Sequence, residues 1–198
     1  MTGRRNLLVG AALLAVPKKK EAKEEVAPNE DLMREHGLLN RVLLIYEECV
    51  RQKNQRTIAA AAAIIRDFIE SYHEKLEEEF VFPRLEKADK LKDVTAVLRK
   101  QHERGRDITA QLIAGSGDMS DLVARFVRMY RPHEAREDTV VFPAFHQLVG
   151  EKEYDRLGDQ FEDREHQLFG ARGFEGKLDE VAQIERQLGI YELSQFTP

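Results

Sequence analysis

The sequence predicts an all-α protein: an up-down-up-down four-helix bundle with appended C-terminal helices. Apolar residues recur at spacings of four and three through four long segments, which is the period of a helix that buries one face. No strand pattern interrupts these segments. Short polar or glycine-bearing breaks separate them, and short connections favour antiparallel neighbours.

The composition fits that reading. With 42% hydrophobic and 34% charged residues in a chain of 198, one buried core is feasible and disorder is not the default. Lys+Arg number 31 against 36 Asp+Glu, so no basic face for phosphates is expected and nucleic acid is not an expected partner. Cys49 stands alone. That excludes an internal disulfide framework, a CxxC redox pair, a cysteine zinc site and a CxxCH haem attachment. Any metal must be held by histidine and carboxylate.

Residues 1–28 differ from the rest. Arg4-Arg5 precede a weakly apolar run from Leu7 to Val16, too short to cross a bilayer, so no membrane span is expected. The arrangement resembles a twin-arginine export signal, used for proteins that fold before they cross the membrane. No A-x-A site follows, and Lys18-Lys19-Lys20 come directly after, so an uncleaved or cytoplasmic tail is the alternative. Export, to the periplasm in a cell that has one, is the expectation, with residues 17 to 28 as a Pro-bounded linker rich in Lys and Glu.

The bundle is expected over residues 29–150. Its first helix starts near Asn29, with an Asn cap and the first-turn acids Glu30 and Asp31, and presents Leu32, His36, Leu39, Leu43, Tyr46 and Val50. The second, from about Gln55, presents Ile58, Ala62, Ile65, Ile69, Tyr72 or His73, Leu76 and Phe80. A third from Leu91 to Ile113 turns Leu91, Val94, Leu98, His102, Gly105, Ile108 and Leu112 inward. After Gly115-Ser116-Gly117-Asp118, which breaks the chain and offers caps, the fourth carries Leu122, Phe126, Met129, His133, Glu137, Val140, Ala144 and Leu148. Pro132, Pro83 and Pro143 each remove a backbone donor, so kinks are expected near them. Residues 151–198 read as a helix from Glu151 to Arg172, a turn at Gly173-Phe174-Glu175-Gly176, a shorter helix to about Leu188 and an extended tail.

One segment occurs twice. His73-Glu74-Lys75-Leu76-Glu77 followed by Val81-Phe82-Pro83 returns as His133-Glu134-Ala135-Arg136-Glu137 followed by Val141-Phe142-Pro143. Residues four apart share a helix face, so each copy aims an imidazole and a carboxylate at the same point. Glu137, in mid-stripe, would be costly to desolvate unless paired or bound to a metal. His36 and His102 each replace an apolar residue in a stripe; alone, such a histidine is more often hydrogen-bonded structure than a ligand. Together the helices supply His36, then His73 with Glu77, then His102, then His133 with Glu137. Four imidazoles and two carboxylates suit iron, with zinc or manganese less well matched. The repeat is neither the Glu-x-x-His of ferritin-like di-iron proteins nor the H-E-x-x-H of zinc proteases.

Residues 30 to 150 resemble the hemerythrin-like family with the HHE cation-binding domain. The resemblance implies two non-haem iron ions joined by an oxo or hydroxo bridge, with Glu77 and Glu137 bridging and His36, His73, His102 and His133 terminal. It implies that a small diatomic molecule or peroxide (dioxygen, nitric oxide or hydrogen peroxide) meets the open iron position. Arg106 stands where the oxygen carriers have a second histidine on the third helix, which favours reaction with peroxide or nitric oxide over stable carriage. The carriers also place an Asp five residues after the last His, where Asp138 stands; Glu137 is preferred because it pairs with Glu77 in the repeat, as Glu78 mirrors Asp138. An iron-binding sensor, or a storage or interaction module without turnover, is the second class of function. His146 is expected at the surface, Tyr72 and Tyr130 in the core, and Glu162, Glu165 and His166 in structural capping over the bundle.

Changing Arg4 and Arg5 together to Lys is expected to hold the protein in the cytoplasm, as read by cell fractionation. An unchanged distribution would exclude twin-arginine export.

Overall fold

The computed structural model describes residues 26–198; the expected export segment and most of the linker lie outside them. Helix α1 spans Pro28–Gln52. Ala27 and not Asn29 takes the cap position, because Pro28 fits the first helical position, where its missing N–H is no loss. Asn29 instead ties this end down: its Nδ2 donates to the Phe142 carbonyl at 2.7 Å, and its backbone N–H donates to the Tyr154 hydroxyl at 3.1 Å.

Helix α2 covers residues 55–87 and is uneven. A regular stretch, Gln55–Ile64, opens with the Asn54 side chain accepting from Thr57 N–H at 3.2 Å. Wider, π-type turns follow at Ile65–His73 and Glu77–Val81, separated by Glu74–Leu76, before Phe82–Lys87 closes the helix. Helix α3 is Lys92–Ala114. Helix α4 covers residues 119–148: Met119–Arg136, capped by the Asp118 carboxylate, then a π turn at Glu137–Val141, then Phe142–Leu148. Helix α5 is Glu151–Phe169, and α6 is Gly173–Leu188.

Helix α1 packs on α2 and α4, and α3 packs on α2 and α4, so the four close into a ring. Their inward faces supply Leu39, Leu43, Tyr46, Ile65, Ile69, Leu76, Ile108 and Phe126, all buried. Helix α6 lies along α1, where Arg41 grips Glu185 with Nε at 2.9 Å and a terminal nitrogen at 2.5 Å. Among the described residues the chain is all-helical, without strands, and no helix there is long and apolar enough to cross a membrane.

The π turns correct the expected stripes. Pro83 and Pro143 offer no N–H, and their rings crowd the carbonyl four residues back. The helix responds by widening one turn earlier: Phe82 N–H bonds to Glu77 O and Phe142 N–H to Glu137 O, five residues back. One extra residue per turn rotates the remainder of each helix. Val81 and Val141 are buried where Phe80 and Val140 were expected, and Phe145 and Val149 take the places of Ala144 and Leu148. Pro132, by contrast, sits inside Met119–Arg136 with its ring exposed.

The C-terminal part also differs from expectation. The break falls at the 3-10 turn Gly170–Arg172, and Gly173 already begins α6. Gly173 has φ +38, and an added Cβ would overlap the Glu165 carboxylate that accepts the Phe174 N–H at 2.9 Å. Glu165 therefore caps the start of α6. Residues 191–198 are exposed, with a short 3-10 turn at Leu193–Phe196, and do not pack as a buried tail.

Gly105 marks a close approach of α3 to Tyr130 of α4. A Cβ there would overlap the Tyr130 hydroxyl and lie 2.9 Å from its Cζ, and Tyr130 is fixed by donating to Glu74 Oε1 at 2.7 Å. Gly105→Ala is expected to destabilise the fold by about 1–3 kcal/mol through overpacking, measured by denaturant unfolding; an unchanged midpoint would show that the helices separate freely here.

Candidate metal centre

All six residues selected from the repeat and the lone histidines meet in the middle of the helix ring. Their burial is nearly complete, with Glu77 and Glu137 at 0% exposure. Ligand-type atoms of Glu77, His102, His133 and Glu137 lie within 4.8 Å of one another, as do those of His36, His73 and Glu77. The histidines form two pairs: the Nε2 atoms of His36 and His73 are 3.0 Å apart, and those of His102 and His133 are 3.2 Å apart.

The carboxylates span the pairs. Glu77 Oε1 is 3.7 Å from His73 Nε2, and its Oε2 is 3.4 Å from His102 Nε2. Glu137 Oε2 lies 3.0 Å from His133 Nε2 and 3.4 Å from His36 Nε2. None of the four carboxylate oxygens has a hydrogen-bond donor. Two fully buried carboxylates without donors are a heavy desolvation cost, and a cation between the imidazoles is the group that would offset it. The spacing agrees, because cis ligands about 2.1 Å from a metal stand about 3.0 Å apart.

A second layer of side chains orients the imidazoles. His36 Nδ1 meets Asp138 at 2.7 Å, His73 Nδ1 meets Glu35 at 2.6 Å, His102 Nδ1 meets Glu78 at 3.1 Å, and His133 Nδ1 meets Gln101 at 2.9 Å. An oxygen beside every Nδ1 favours the tautomer that leaves the Nε2 lone pair facing inward, the arrangement typical of metal-binding histidines. Asp138 and Glu78 stand outside the cage at equivalent places, while Glu137 and Glu77 stand within it.

The layer follows an internal two-fold pattern. Glu35 and Gln101 immediately precede His36 and His102, and each reaches across to the histidine of the neighbouring helix. Phe142 stacks on His36 at 5.5 Å, and Phe82 stacks on His102 at 5.7 Å, so the V-F-P tails wall the cage. The second motif residues, Glu74 and Glu134, are buried too. Arg106 donates to Glu74 at 2.6 Å, and Asn40 donates to Glu134. Arg106 is 30% exposed and also donates to Glu78 at 2.7 Å, steadying the carboxylate that holds His102.

The other candidates fall elsewhere. Tyr72 and Tyr130 are core, and exposed His146 stacks on Tyr154 at 4.1 Å. Glu162 and His166 line a cleft beside α1. Sequence reasoning missed Glu35, Gln101, Glu74, Glu134 and Asn40. The signals were present: Glu74 and Glu134 repeat within the motif, and an acceptor precedes each lone histidine.

Residues 27–144 match the hemerythrin HHE cation binding domain. The chain belongs to that family. Relatives include uncharacterized proteins of Mycobacterium tuberculosis and Mycobacterium bovis, each 48% identical over 195 residues, covering 90% of this chain and 76% of the relative. No solved structure matches the chain. Family membership and the buried His/Glu cluster together give this hemerythrin-like domain a metal-binding role.

Without a cation, the cage shares protons unevenly. Burial and the charge of Glu137 push the Glu77 carboxyl well above its ordinary range. Burial opposes the charge of Glu137, but His133 and His36 outweigh it and hold its carboxyl well below that range. For His36, burial opposes protonation, yet Asp138 and Glu137 raise its pKa to about 10; burial and neighbouring His36 push His73 well below 6.5. At neutral pH Glu77 and His36 thus carry protons that a cation must displace. Metal binding at pH 7 is expected to release about two protons per chain and to tighten as pH rises towards the pKa of His36. Calorimetry in buffers of different ionisation enthalpy reads the number. Asp138→Asn should lower it by about one, and zero release would contradict this protonation pattern.

Proposed function

We propose that this hemerythrin-like domain is a non-haem di-iron protein, held by His36, His73, Glu77, His102, His133 and Glu137, that binds or reacts with dioxygen, peroxide or nitric oxide. The observation that carries the reading is the donor set: four inward imidazole nitrogens and four carboxylate oxygens without donors, arranged as two histidine pairs spanned by both carboxylates. In this reading α1 to α4 form an up-down-up-down bundle over residues 29–150, residues 151–198 are a helical extension, and residues 1–28 direct export.

Iron suits imidazole mixed with carboxylate, and when bound it supplies a redox-active centre with open positions for a small ligand. Eight protein donors fill about eight of roughly twelve positions on two octahedral ions. The chain's own residues do the rest. Glu35, Glu78, Gln101 and Asp138 fix the imidazole planes, Phe82 and Phe142 keep water from the cage walls, and Arg106 ties Glu74 and Glu78 together beside it. A surface cleft of about 300 Å³ lined by Val94, Val97, Leu98, Pro132, Gln101 and His133 is the side from which a diatomic molecule or peroxide would approach.

The purified protein is expected to contain two iron ions, to lose them in Glu137→Ala and to keep them in Glu165→Ala, as measured by elemental analysis. Hydrogen peroxide should change the optical spectrum and be consumed. A long-lived, reversible dioxygen complex without peroxide consumption would favour carriage, and a metal-free native protein would refute the cage.

A further inference from the structure

A second group of acids lies near the start of α1, and the cage does not use it. Asp31 and Glu35 from α1 and Glu165 from α5 bring one oxygen each to within 4.8 Å of one another. Asp31 and Glu165 line a cleft of about 340 Å³, together with Glu162, His166 and Phe174. Glu35, at 0% exposure, lies behind them.

Two observations separate this group from an ordinary acidic surface. Glu35 gives Oε2 to His73, while its buried Oε1 makes no close hydrogen bond, and the Tyr72 hydroxyl stands beside the carboxyl. The two arginines that line the cleft are engaged elsewhere: Arg34 comes no nearer to Asp31 than 3.9 Å with one nitrogen and places another on Glu175 at 3.3 Å, and Arg172 donates to Asp179 at 2.6 Å. Burial and the neighbouring Glu165 raise Asp31 to about 6. Three carboxylates so placed either hold protons or share a cation.

We propose that Asp31, Glu35 and Glu165 bind a third divalent cation, separate from the cage, through carboxylate oxygens completed by water. An all-oxygen set of this kind suits a hard ion such as Mn²⁺, Mg²⁺ or Ca²⁺. Glu35 is the shared element, with one oxygen on His73 and the other free for the outer ion. The site stands independently of what fills the cage.

The test uses full-length protein as purified, with its iron content measured first, and titrates it with Mn²⁺ followed by electron paramagnetic resonance. One Mn²⁺ per chain should bind to the wild type, and that equivalent should be lost in Asp31→Asn combined with Glu165→Gln. Both substitutions keep an acceptor oxygen, so the Phe174 cap and the fold survive, as circular dichroism would verify. Iron content should stay at the wild-type value. Failure of the wild type to bind Mn²⁺, or undiminished binding by the double variant, would overturn the proposal. A protein without iron that still takes up Mn²⁺ in this way would sink the di-iron reading and leave the outer site standing.

Discussion

The burial of Glu77 and Glu137 is the constraint on which the rest of the structure depends. Each carboxylate is removed from water and given no donor of its own, a cost that apolar packing cannot recover. The four imidazoles and the opposite carboxylate face them. The helices must then hold four histidines at one depth with their Nε2 atoms turned inward, which is why so much polar chemistry stands immediately outside the cage. Remove the outer oxygens and the rings are free to rotate; remove the inner carboxylates and four lone pairs face an empty space.

Duplication explains how so many conditions are met together. Helices α1 and α2 meet the demand once, and α3 and α4 meet it again with the same parts: an acceptor before a lone histidine, a His-Glu pair, a second glutamate one turn on, and a phenylalanine that closes the wall. Where the halves differ, the chemistry differs. Glu35 against Gln101 puts a buried carboxyl on one side only, and that carboxyl also faces the acidic cleft. Arg106 against Asn40 places a full charge beside Glu74 and Glu78 on the other side.

Much of this was legible in the sequence, and the exceptions have physical causes. Helical period and breakers located the helices to within a few residues, and the repeated motif with the two lone histidines picked out all six residues that converge. The stripes failed after Glu77 and Glu137 because a strict helical period cannot see the π turns that Pro83 and Pro143 require. Asn29 was misread as a cap because Pro28 competes for the same helix start. The outer layer went unread since Glu35, Gln101 and Asn40 look like solvated helix residues until the partner helix is in place. Arg106 was judged by its position in a pattern, whereas its partners come from α2.

In the proposed di-iron reading, His36 and His73 would hold one iron ion and His102 and His133 the other, with Glu77 and Glu137 shared between them. Anomalous diffraction at the iron edge from crystals of the iron-loaded protein tests it most directly. The account predicts two peaks, one at His36 and His73 and the other at His102 and His133, both within ligand distance of Glu77 and Glu137. A single peak, or none within the helix ring, would contradict it.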